Sequence, residues 1–195
     1  SVVMEELKKE AKEFFRSLQD EICGQVKKFD KIDFQEDLWD REGGGGGRTR
    51  IFSGGEFLEK GGVNFSEVYG ELSPEFAKSM PRGDGTKFYS AGVSLVLHPI
   101  NPHVPTVHAN FRMIQRGSAA WFGGGADLTP YYPELEDVTH FHSAYKNALD
   151  RVEDGLYLKY KEKCDDYFFL KHRGETRGVG GIFFDYEDAS DERSY

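Results

Sequence analysis

Alternation of apolar and polar residues at a period of two belongs to one regular structure only, the half-buried β-strand, and two segments of this chain show it on either side of a proline-rich link. In residues 91–98 the odd positions are Val93, Leu95 and Leu97, and the even ones are Ser94, Val96 and His98. In residues 106–114 the odd positions Val107, Ala109, Phe111 and Met113 are apolar, and the even ones are Thr106, His108, Asn110, Arg112 and Ile114. The intervening HPINPHVP reads as a loop, because proline supplies no N–H to a sheet ladder. Paired in one sheet, the two strands place Ser94, His98, His108, Asn110 and Arg112 on a common surface. Such alternation can mean no more than a face turned to water. Solvated faces, however, usually carry Lys, Glu and Thr, whereas His, Asn and Arg two residues apart form a donor array suited to a carboxylate or another anion.

Just downstream, residues 119–122 read as a further short strand closed by Gly123, Gly124 and Gly125, with Asp127 delivered directly after that turn. Histidine, with an ordinary pKa of about 6.5, exchanges protons near neutrality. His108 is therefore the candidate acid–base group, and Asp127 a candidate acceptor for a ring N–H. No G-x-S-x-G elbow surrounds Ser94, so a nucleophilic triad is not indicated.

Elsewhere the pattern is mostly scaffold. From Met4 the apolar residues Leu7, Ala11, Phe14, Phe15, Leu18, Ile22, Val26 and Phe29 follow helical spacing as one stripe. The run DREGGGGGRTR has five consecutive glycines, which are expected to break any regular element. It is either a linker or a loop of close approach to a ligand, with Arg48 and Arg50 available to it. No Lys-Ser/Thr follows the glycines and no dinucleotide fingerprint is present, so a phosphate loop is not supported. Strands are expected over residues 48–52, 63–69 and 180–184. A short helix is expected over 73–80, with Ser73 as N-cap and Pro74 at the first position, and longer ones over 137–149 and 156–170. His142 faces inward on its helix and reads first as a hydrogen-bonded core residue; Cys164 reads as core as well. Arg173 and Arg177, in a basic glycine-bearing loop, are either carboxylate clamps or solvated. His98, His108, His142 and His172 could assemble on a metal ion, but no H-E-x-x-H or tight ligand spacing supports it.

A net charge of −9 argues against a nucleic-acid surface. Cys23 and Cys164 form no CxxC and are expected to be reduced. No apolar run approaches the roughly 18 residues that cross a bilayer, so no transmembrane segment is expected and the cytoplasm is the expected compartment. The length suits a single domain over residues 1–195.

The strings GGGGGRTR, GVNFSEV, GVSLVLHPINPHVPTVHANFR, WFGGGADLTPYY and CDDYFFLKHRGETRGVGGIFFDY, in that order, closely resemble the oxygen-dependent coproporphyrinogen III oxidase family. The resemblance implies an α+β fold, a large antiparallel β-sheet flanked by α-helices on both faces, and a homodimer. It implies O2-dependent oxidative decarboxylation of two propionates of coproporphyrinogen III to vinyl groups, giving protoporphyrinogen IX in haem synthesis. O2 is then a co-substrate and no cofactor is required; a divalent metal is the alternative. The resemblance makes His108 the proton-transfer residue and Asp127 the holder of pyrrole N–H groups, and in the mechanism expected on that basis Arg112 or Arg177 fixes the reacting propionate. Ser94, Asn110, Arg112 and Arg177 match substrate-contacting positions, and Arg173 is added as a candidate clamp. His98, His108, His142 and His172 match histidines proposed as metal ligands in some members. Members of the family continue past the GGIFFDY strand, a portion this chain is expected to lack, which keeps open the reading of a catalytically incompetent tetrapyrrole-binding fragment; the four histidines keep open that of a His-ligated metal-dependent oxygenase.

Overall fold

In a computed structural model, residues 1–167, 169–170, 175–176 and 178–188 are described. The first helix, α1 (Val2–Asp30), is capped by the Ser1 hydroxyl, which accepts from the Met4 amide, and ends at Lys31 in the left-handed conformation. There follow β1 (Phe34–Asp40), β2 (Gly45–Ser53), β3 (Leu58–Glu71), the short α2 (Pro74–Ser79), β4 (Lys87–Pro99), β5 (Thr106–Arg116) and β6 (Ala119–Thr129). Helices α3 (Leu135–Asp150) and α4 (Leu156–Tyr167), a small hairpin of β7 (Phe169–Leu170) with β8 (Glu175–Thr176), and β9 (Gly181–Asp188) complete the described chain. Seven strands form one antiparallel sheet in the order β1-β2-β3-β4-β5-β6-β9.

The large antiparallel sheet with helices is the fold expected, except that among the described residues the long helices pack on one face and not on both, and the parity argument holds for β4 and β5. Val93 pairs with Phe111 and Ala91 with Met113, and these odd positions turn to the helices. One core cluster joins Leu7, Ala11, Phe15 and Cys23 of α1 to Phe52, Val63, Phe65, Val93 and Met113; a second joins Tyr157 and Tyr160 of α4 to Ala109, Ala126 and Ile182. Leu95 and Phe111 pack against both clusters, so α1 and α4 share one face of the sheet. The even residues of β4 and β5 occupy the opposite face, hereafter the open face. Phe14 and Phe29, assigned to the apolar stripe of α1, are exposed instead, and the seam is completed by buried Gln19.

Four local expectations are corrected. The five-glycine run breaks the chain only at Gly43 and Gly44, in the β1–β2 turn: Gly45, Gly46 and Gly47 belong to β2, all three paired with β3 and the last two also with β1. Glycine is needed there because the neighbouring strand is covered. A Cβ on Gly47 would fall on the Trp39 ring, 2.2 Å from Cζ2. Likewise Gly123, Gly124 and Gly125 lie within β6 and form no turn. Arg48 and Arg50 are not available to a ligand, since both are buried on the helical face. Arg48 donates to Gln19 and Asp20 (2.7 and 2.8 Å), and Arg50 to Asp20 and Glu36 (2.8 and 2.9 Å). They clamp α1 to the sheet. The helix expected to reach residue 170 ends at Tyr167, followed by β7. β1 had no sequence signal, because its FQEDLWD is mostly exposed and charged, as an edge strand's composition tends to be.

Candidate functional site

β4, β5 and β6 deliver the polar residues of the open face in adjacent columns. Ser94 pairs with Asn110, Gly92 with Arg112, and His108 with Asp127 across the β5–β6 ladder. Register alone therefore brings His108 and Asp127 together, although 19 residues separate them in sequence.

His108 Nδ1 lies 3.2 Å from Asp127 Oδ1. The Asp127 side chain is only 4% exposed, whereas that of His108 is 41% exposed. A buried carboxylate is an acceptor, so the proton of the neutral ring sits on Nδ1 and Nε2 carries the lone pair. The Thr129 hydroxyl donates weakly to the other carboxylate oxygen at 3.5 Å. These groups open on a cavity of about 410 Å³ lined by Val96, His98, Thr106, His108, Asp127, Thr129, Pro130 and Tyr131.

Four residues along the same strand, about 14 Å from His108 by strand rise, Arg112 donates from Nη1 to Asn110 Oδ1 (2.9 Å) and from Nη2 to Asp185 Oδ2 (3.4 Å). Its side chain is one-third exposed. Gly123 lies beneath this group; a Cβ there would stand 2.5 Å from Asp185 Oδ1 and 3.3 Å from Arg112 Nη2. The glycine run of β6 thus leaves a floor over which an arginine and an aspartate meet.

The structure gathers Ser94, His98, His108, Asn110, Arg112 and Asp127 on one face. It does not gather His142. The Tyr157 hydroxyl, whose pKa burial pushes up, donates to His142 Nδ1 at 2.6 Å, and His142 Nε2–H donates to the Val179 carbonyl at 2.9 Å. Both ring nitrogens are therefore engaged, on a helix whose apolar residues pack with Ala109 and Ala126 on the helical face. Among the described residues no three His, Cys, Asp or Glu side chains are grouped to hold a metal ion. The proposed histidine set does not fit a metal through His142, and no step is derived through one. His172, Arg173 and Arg177 lie outside the described residues.

Sequence reasoning missed Asp185 and Thr129. Both were accessible in principle through parity. Thr129 lies two residues beyond Asp127, and Asp185 two beyond Phe183, which pairs with Gly125.

A family model described as coproporphyrinogen III oxidase matches residues 10–195. The chain is 53% identical over 182 residues to the oxygen-dependent coproporphyrinogen-III oxidase of Prochlorococcus marinus (strain NATL1A), covering 92% of this chain and 52% of that protein. It is 52% identical over 185 residues to the protein of the same name from Prochlorococcus marinus (strain MIT 9313), covering 94% and 53%. A third relative of that name, from Parasynechococcus marenigrum (strain WH8102), is 52% identical over 188 residues, covering 95% and 52%. The chain spans about half the length of the curated relatives it matches.

Proposed function

The chain belongs to the coproporphyrinogen III oxidase family, and from that premise we propose that its open face binds coproporphyrinogen III and takes part in the O2-dependent decarboxylation of two of its propionates, giving protoporphyrinogen IX. The observation that carries the reading is the buried Asp127 carboxylate beside His108, on the same sheet surface as the Asn110–Arg112–Asp185 group. A tetracarboxylate macrocycle needs cationic and N–H donors at its periphery and an acceptor for its pyrrole N–H groups. Arg112 supplies the first, with Ser94 and Asn110 beside it, and Asp127 the second.

Each half-reaction converts R–CH2–CH2–COO⁻, O2 and one H⁺ into R–CH=CH2, CO2 and H2O2. The carboxylate electrons become the vinyl π bond as CO2 leaves, and the hydride equivalent lost from the ring-adjacent carbon reduces O2. In this scheme Asp127 orients the pyrrole, and Arg112 fixes the propionate as an ion pair worth about 1.5–3 kcal/mol when sheltered. His108, with Nδ1–H held by Asp127, moves a proton at Nε2. Arg173 and Arg177 are proposed as further clamps. A homodimer and a cytoplasmic location are part of the same proposal.

The test is an aerobic assay of the chain with coproporphyrinogen III against an anaerobic control, reading protoporphyrin fluorescence after oxidation of the product. Oxygen-dependent product formation that Asp127→Ala abolishes is the expected result; porphyrinogen binding without turnover instead assigns the chain as a tetrapyrrole-binding fragment.

A further inference from the structure

On the open face, Asn64 of β3, Ser94 of β4 and Asn110 of β5 stand in one cross-strand row. Both amides of that row have their oxygen turned to a donor. Thr49 donates to Asn64 Oδ1 at 2.7 Å and itself accepts from the Trp39 indole N–H at 3.0 Å, while Arg112 donates to Asn110 Oδ1 at 2.9 Å. An amide whose oxygen is held in this way presents its NH2 group in the other direction. The row thus offers two NH2 groups with the Ser94 hydroxyl midway. From strand spacing the two amides are about 10 Å apart.

The rows on either side each carry a glycine. Gly62 of β3 lies in the row of Val96 and His108, and Gly92 of β4 lies between Ser66 and Arg112. A Cβ at Gly92 would stand 2.6 Å from the Phe111 carbonyl and 3.0 Å from Arg112 Cβ, so the floor beside Ser94 is bare backbone. An acidic residue enters the row only at its end, where exposed Asp37 of β1 pairs with Thr49. Between Asn64 and Asn110 the row holds hydrogen-bond donors and no negative charge.

We propose that Asn64, held by Thr49, which Trp39 holds in turn, completes with Ser94 and Asn110 a subsite for a carboxylate of the ligand, and that this carboxylate is a propionate that does not react in the step at His108. Asn64 shares a row with Asn110, two residues from His108 on one side and from Arg112 on the other, so strand spacing and rise place it about 12 Å from each, too far to serve the propionate that Arg112 fixes but within the span of one tetrapyrrole carrying propionates on several rings. Asn64 is a positioning residue. The subsite rests on the reading of the open face as the tetrapyrrole site.

Fluorescence titration of the full chain with coproporphyrin III and, separately, with its uncharged tetramethyl ester tests the assignment. Asn64→Asp keeps the shape and sets a like charge against the ligand carboxylate. It is expected to weaken coproporphyrin III binding by about tenfold, the effect of one lost hydrogen bond to a charged group, and to leave ester binding within about twofold. Thr49→Val, which releases the Asn64 carbonyl, is expected to weaken the acid in the same direction and again to spare the ester. In turnover, Asn64→Asp is expected to raise KM with kcat retained. Equal weakening of acid and ester, or no change in either, overturns the subsite while leaving the functional reading in place. Failure of the unsubstituted chain to bind either ligand overturns both.

Discussion

His108 and Asp127 are joined by one hydrogen bond, so in the proposed reaction their substitution effects should not add. Asp127→Asn replaces an obligate acceptor by an amide that can present NH2 to the ring, which releases the tautomer that keeps Nε2 basic. Asp127→Ala, Asp127→Asn and His108→Ala are each expected to lower turnover by about 10²–10⁴-fold. The His108→Ala/Asp127→Ala double variant should be little worse than either single one, a result steady-state kinetics reads directly. A different residue-scale expectation concerns Cys23. Burial pushes its thiol above the ordinary value of 9.0, so it should resist alkylation in the native protein at pH 8 and react on unfolding. Because the folded value is raised, the stabilisation from the neutral thiol is complete below the unfolded value and declines as pH rises toward the folded one. The stability advantage of the native sequence over Cys23→Ala should therefore shrink above pH 9, measured by denaturant unfolding at several pH values.

At the scale of the elements, α1 is fixed to the sheet by polar ties as much as by its apolar stripe. Asp30, at the last position of the helix and 2% exposed, accepts from the backbone amides of Glu56, Phe57 and Leu58 at 2.9–3.0 Å. It thereby locks the β2–β3 turn against the end of α1. Asp30→Ala leaves those amides without their carboxylate and should cost about 2–4 kcal/mol of unfolding free energy. Gln19 has a similar part, donating to the Arg48 and Val63 carbonyls at 2.6 and 3.0 Å and accepting from Arg48 Nε. The β6 glycines are a site device at this scale. In Gly123→Ala the new methyl group meets the Asp185 carboxylate and the edge of Arg112. The variant should fold with a loss of about 1–3 kcal/mol, and its larger effect should be a raised KM as the Arg112–Asp185 pair opens.

For the whole molecule, the sheet divides two environments: the long helices bury one side, and the other presents the site. His142 is engaged on the helical face, so chelator treatment of the purified protein should leave O2-dependent turnover unchanged, with metal content followed by elemental analysis. Much of this arrangement was legible in the chain. The period-two alternation of β4 and β5 assigned Ser94, His108, Asn110 and Arg112 to one face, because a strand's side chains must alternate whatever surrounds it. Helical spacing likewise revealed α1, α3 and α4. What the chain could not convey was pairing. Five glycines looked like a break, yet three of them, Gly45, Gly46 and Gly47, proved to be strand, because the reason for glycine there is the Trp39 ring and the backbone of adjacent strands, contacts absent until the sheet forms. Arg48 and Arg50 looked free to meet a ligand, yet Asp20, Gln19 and Glu36, from other elements, claim them. The sequence by itself determined which residues share a face, a property of local backbone geometry. Only the tertiary structure decided which faces meet across strands, and so made a dyad of His108 and Asp127, because antiparallel register is set by long-range packing.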